Sequence, residues 1–111
     1  MRAGALRHRV TIEALTVEID SDDGLQAQYW DAFATMIPAE ISPLSGKELI
    51  AAQAVQSKVT TRIRIRHRPG VIASMRVDHR GEKYNINAVI RDPISGIDYM
   101  TLMCESGVAE G

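Results

Sequence analysis

The side chains able to do chemistry are few and scattered. His8, His67 and His79 have no metal-ligand spacing, and the single cysteine, Cys104, has no second thiol to partner it. Asp20, Asp22 and Asp23 have some of the spacing of a calcium loop. Gly24 falls one place early for an EF-hand, however, and no glutamate follows at the bidentate position. A solvated acidic loop is the simpler reading. Ser45-Gly46-Lys47 is the nearest approach to a phosphate-binding loop, but it lacks the upstream glycine. No nucleophile-elbow motif is present. The sequence therefore names no catalytic, metal or cofactor residue, and it does not read as an enzyme.

One constellation stands out. Arg62, Arg64, Arg66 and Arg68 recur at every second position, so an extended backbone places all four guanidinium groups on one face. Three roles are open to them. They can touch nucleic-acid phosphate. They can pair with acids of a neighbouring copy, or they can form a solvated face that keeps a strand from aggregating. No aromatic residues interleave them as base-stacking platforms would require.

Charge is segregated along the chain. Between Val10 and Ile50 lie eight acids, Asp20, Asp22 and Asp23 among them, against Lys47 alone. Between Lys58 and Lys83 lie eight bases against Asp78 and Glu82. The net charge is only −1, so the asymmetry lies in the distribution. Two unlike flanks of this kind can guide head-to-tail packing of identical subunits.

The elements that must carry these residues are mostly strands. At 111 residues, 45% hydrophobic and 24% charged, the chain suits one globular domain with a mainly aliphatic core. Residues 7–15 alternate, with Val10, Ile12 and Ala14 on one face. Residues 16–28 are expected to form a flexible loop around Asp20-Ser21-Asp22-Asp23-Gly24. Tyr29 to Ile41 is extended, with Pro38 marking an edge or a bulge. Ser45-x-x-Glu48 is a capping box and predicts a helix over 45–57.

Lys58 to Arg68 gives the strongest strand signal. Val59, Thr61, Ile63, Ile65 and His67 oppose the arginine face. Arg68-Pro69-Gly70 is a turn. Shorter strands follow around Val77, around Ile86 and from Tyr99 to Cys104, with a turn at Asp92-Pro93-Ile94-Ser95-Gly96 and a tail at 106–111. The expected fold is mainly β: a small six-stranded antiparallel barrel or sandwich with one helix between strands 2 and 3, in a single domain over 1–111. No apolar run is long enough to span a membrane. The N-terminal residues carry no signal-peptide core, so the chain is expected to stay in the cell that makes it.

The order of these features resembles the phage head–tail joining proteins, also called head–tail adaptor, head-closure or stopper proteins. The resemblance rests on Gly4-Ala5-Leu6-Arg7-His8-Arg9 running into the first strand, and on Trp30 and Ala39-Glu40-Ile41. It continues through Pro43-Leu44-Ser45-Gly46-Lys47-Glu48-Leu49 and Ala51-Ala52-Gln53. Val59-Thr60-Thr61-Arg62-Ile63-Arg64-Ile65-Arg66 then matches a family strand. Arg68-Pro69-Gly70, Met75-Arg76-Val77, Tyr84-Asn85-Ile86 and Leu102-Met103-Cys104-Glu105 complete the pattern. Residues 16–28 and 106–111 stand outside it.

The resemblance implies a structural virion protein, from a phage, a prophage or a gene-transfer particle, made in the bacterial host cytoplasm. It implies a homo-oligomeric ring of twelve-fold symmetry in the head–tail connector, with portal and adaptor proteins above. Tail terminator or tail tube proteins lie below, packaged double-stranded DNA fills the channel, and no membrane is involved. On this reading Arg62, Arg64, Arg66 and Arg68, with Asp20, Asp22 and Asp23, are the candidates for the subunit interface or the DNA channel. The acids of the 18–23 segment or of the helix region would meet the arginine face of the next copy. The competing class is a small nucleic-acid-binding β-barrel acting alone.

Overall fold

A computed structural model of the chain describes residues 6–53, 58–91 and 98–106. Six strands close into an antiparallel barrel. They are β1 (His8–Ile19), β2 (Gln26–Pro43), β3 (Thr61–Arg66), β4 (Arg76–His79), β5 (Glu82–Arg91) and β6 (Tyr99–Ser106). Their order around the barrel is β1-β2-β3-β6-β5-β4, with β4 returning to pair with β1. Of the barrel or sandwich expected from the sequence, the barrel is the observed fold, and the short helix α1 (Gly46–Gln53) lies between strands 2 and 3.

Alternation explains the interior. Val10 and Ile12 of β1, Ile37 and Ala39 of β2, and Ile63 and Ile65 of β3 are buried. They meet Val77 of β4, Tyr84 and Ile86 of β5, and Met100, Leu102 and Cys104 of β6. Small and branched aliphatic residues dominate because the bore of a narrow barrel leaves room for little else. Cys104 is fully enclosed, and burial pushes its thiol pKa up to about 12. Only the thiolate attacks a disulfide reagent. The native protein is therefore expected to resist Ellman's reagent at pH 8 and to react stoichiometrically in denaturant.

The turns obey local chemistry. β4 and β5 join through Arg80 and Gly81, both at positive φ (56° and 88°), the two-residue geometry that matches strand twist. Asp78 Oδ1 accepts from the Gly81 N–H at 3.0 Å. Gly70 also has positive φ (91°), and a Cβ there would sit 3.0 Å from the Phe33 ring. Glycine is required by both backbone and neighbour.

Residues 16–28 correct the sequence reading. They are not a loop: Thr16 pairs with Tyr29, Val17 with Gln28, Glu18 with Ala27 and Ile19 with Gln26. Only residues 20–25 turn the chain. β4 covers β1 only at Thr11, Ile12 and Glu13, while β3 covers β2 only from Ala39 to Pro43. Beyond those limits β1 and β2 pair only with each other and project as a two-stranded arm. The molecule is consequently long, 51 × 29 × 25 Å. Its radius of gyration is 15.2 Å, against roughly 13 Å for a compact domain of this length.

Two bulges start the arm. β2 carries one extra residue between the partners of Val10 and Ile12, and another between those of Ile12 and Glu13. Met36, in the first, has φ 55°. Bulges increase twist and re-aim a strand. Pro38 lies beside them, next to the first residue paired with β3, as its missing N–H demands.

The remaining boundaries shift modestly. α1 is described to Gln53, and positions 54–57 of the expected helix lie outside the described residues. So do the expected turn at 92–96 and residues 107–111. Ser106, read as the start of a tail, is the last residue of β6.

Candidate assembly surfaces

The arginine face forms as the alternation requires, but its members have different surroundings. Arg62 donates to Glu48 Oε2 at 2.7 Å, so the helix supplies its partner from within the chain. Glu48 also closes the capping box. Its Oε1 accepts from the Ser45 N–H at 3.0 Å, and its own N–H donates to Ser45 Oγ at 3.2 Å. The Ser45 backbone bond, followed by the Arg62 and Ser45 side-chain bonds, holds the Glu48 pKa at about 2.

The sign of the pH effect follows. A carboxyl depressed on folding stabilises above its ordinary value of 4.5 and loses that contribution as pH falls through its folded value of about 2. Glu48→Gln keeps the acceptor at Ser45 but not the charge. The melting temperature of E48Q is expected to lie below the native one at pH 7, and the gap to close between pH 4.5 and 2. An unchanged gap at pH 2 would contradict this.

Arg64 is half-buried and sits in register between Glu40 on β2 and Thr101 on β6. Arg66 is exposed and lies over the Tyr99 ring, 5.7 Å from its centroid. Arg68 is exposed just past the end of β3, and its backbone N–H points at Met100 Sδ, 3.3 Å away. The face that remains open is therefore Arg64, Arg66 and Arg68, edged by Tyr99 and by Ile90, which is 49% exposed.

Asp20, Asp22 and Asp23 lie at the tip of the arm. Asp20 Oδ1 accepts from the Asp22 N–H at 2.8 Å, and Asp23 Oδ1 from the Leu25 N–H at 2.9 Å. The Gly24 N–H donates to the Asp20 carbonyl at 2.8 Å. Two of the acids thus build the turn, and the Asp22 carboxylate faces solvent. Among the described residues no ion pair joins these acids to the arginine face within one chain.

Along the arm, Leu15, Val17 and Ile19 share one side and are 44%, 49% and 65% exposed. Tyr29 is on the other side, where its hydroxyl donates to Glu18 at 3.4 Å. At the root lies a cluster that reading by single strands could not reveal. Arg76 donates to Glu13 Oε1 at 2.7 Å and stacks over Trp30, 4.2 Å from the ring centroid. Lys83 approaches Glu13 and Asp78, each at 3.4 Å. Arg76 is on the outward face of β4 yet only 4% exposed, because Trp30 of the arm covers it. The sequence signals were an unexplained lone Trp and opposite charges on two strands. Only the Glu13–Arg76 register brings them together. The structure also places His8 against His79, edge to face at 4.9 Å, another pair that spacing did not suggest.

Solved structures share this architecture. The solution structure of protein SF1141 from Shigella flexneri 2a is similar over 99% of this chain and 100% of that one, with a TM-score of 0.82 and 28% identity. A chain in the virion of a native gene transfer agent particle is similar over 93% of this chain and 96% of that one. Its TM-score is 0.60 and its identity 18%, so the likeness is one of fold. No curated protein matches the chain. The family described as phage head completion protein matches residues 1–107, which include every strand of the barrel and its arm. The chain belongs to the phage head completion protein family, and its role is a structural one at the head–tail joint of the virion.

Proposed function

We propose that this chain is the subunit of a ring, twelve-fold in the assembled particle, that sits below the portal and adaptor proteins. There it closes the DNA-filled head and offers the surface on which tail terminator or tail tube proteins dock. The reading is of a building part rather than a catalyst. The observation that carries it is the union of a closed barrel with a projecting arm. The barrel buries its own strand edges, whereas the arm leaves both edges and an apolar stripe uncovered. A two-stranded ribbon is at best marginally stable by itself. Such a part is completed by neighbours.

The test is to produce particles without the chain. Heads are expected to fill, then to lose DNA to nuclease and to remain tailless, and the chain supplied in trans restores both properties. Nuclease-resistant, tailed particles made without it would overturn the reading. The competing role, a free-standing nucleic-acid-binding barrel, would instead show as affinity of the isolated chain for DNA that falls steeply with salt. The internal pairing of Arg62 with Glu48 argues against that role, since it removes one cation from the stripe.

A further inference from the structure

We infer that the arm of one copy lies along the barrel of the next, with the Leu15–Val17–Ile19 stripe packed on the Ile90 and Tyr99 side of the arginine face and the acidic tip reaching Arg66 and Arg68. This rests on the ring reading above and specifies its contact. Three observations favour a second copy of this chain as the occupant.

The first is exposure. Leu15, Val17 and Ile19 are 44–65% exposed in a row on one side of a ribbon. Apolar rows of this kind usually mark a contact. The second is charge. The arm carries no base between Val10 and its return to the barrel, while Arg64, Arg66 and Arg68 have no ion-pair partner among the described residues. The same barrel face adds exposed Ile90, so both surfaces combine apolar and charged parts, with charges of opposite sign. The third is length. The unsupported part of β1, residues 14–19, spans about 20 Å at ~3.4 Å per residue, and the six residues of β3 span the same.

The contact is heterologous: arm and barrel face are different surfaces. Each copy therefore gives one and receives one, and such a contact makes a ring where the rotation between copies closes. Arg62 takes no part, being held by Glu48.

The experiment uses the full chain in isolated heads. A chain carrying both Asp22→Cys and Arg66→Cys is treated with a short bismaleimide, and Cys104, fully buried, does not compete. A ladder of covalent multimers of this chain is expected, with none from either single variant. Separately, Arg66→Glu with Arg68→Glu should lower occupancy of heads at least about tenfold, equivalent to ~1.4 kcal/mol. Asp22→Lys, which spares the Asp20 and Asp23 carboxylates that build the turn, should restore it in part in the same chain. Circular dichroism of each purified variant confirms folding. Heads that hold the chain but give no ladder, or cross-links only to a different protein, overturn this contact while leaving the ring reading intact. Heads that never hold the native chain overturn both.

Discussion

Replacing Arg76 by alanine is expected to cost about 3–5 kcal/mol, the range for removing one member of a buried ion pair. At roughly 4 °C per kcal/mol for a domain of this size, the melting temperature should drop by more than about 10 °C. The size of the effect follows from what is left behind. The Arg76 side chain is 5% exposed and that of Glu13 is 17% exposed, so the Glu13 carboxylate would lose its closest partner where water can barely replace it. Trp30 would lose the guanidinium it stacks on, 4.2 Å away. The loss is also mechanical, since Glu13 is on β1, Trp30 on β2, Arg76 on β4 and Lys83 on β5. One cluster fixes the direction in which the arm leaves the barrel. Thermal denaturation followed by circular dichroism checks the stability. Faster amide exchange at residues 14–19, relative to β3, checks the arm. A double variant, Arg76→Met with Glu13→Leu, should be less destabilised than the sum of the single changes, because neither charge of this pair is left buried without the other. Strict additivity would mean that the pair is not coupled.

A second large effect is expected at Leu102. It is fully buried at the centre of β6, between Ile63 of β3 and Val89 of β5. Leu102→Ala removes methyl groups from a bore whose walls are hydrogen-bonded all the way round and cannot collapse inward. The cost should lie toward the upper part of the usual ~2–5 kcal/mol for such a truncation. Set against a total of about 5–15 kcal/mol for a domain, that is a large share of the stability. Urea denaturation should show a lower midpoint with an unchanged slope. The same change at Leu25, 67% exposed at the tip of the arm, should alter folding stability little.

The barrel was legible wherever a strand has water on one face and core on the other. β3 is the clearest case: Thr61, Ile63 and Ile65 are buried as the alternation requires, as is Val59 just before the strand, with the arginines facing outward. The capping box was legible because it is local, needing only Ser45 and Glu48 three residues apart. The arm was not. Leu15, Val17 and Ile19 also alternate, but on the face opposite Val10, Ile12 and Ala14, and the acidic cluster that follows is a strong turn signal. Residues 20–28 are exposed on both faces, so no burial pattern survives there to mark the return strand. A ribbon whose apolar side is uncovered in the single chain has no partner within the sequence to announce it.

The arginine stripe was legible as a face but not in its division. That Arg62 belongs to Glu48 depends on where α1 lands after Pro43, a tertiary fact. The Glu13–Arg76–Trp30 cluster depends on the pairing of β1 with β4 across most of the chain, and single-strand periodicity contains no information about it.

The most direct measurement is a three-dimensional reconstruction of the neck of the assembled particle, made with and without the chain. The predicted result is a ring of six-stranded barrels around the DNA axis between portal and tail, each arm lying against the next barrel. That ring should be missing, and the neck empty of DNA, when the chain is left out. A neck whose density is the same in both preparations, or barrels found only away from the axis, would contradict the account.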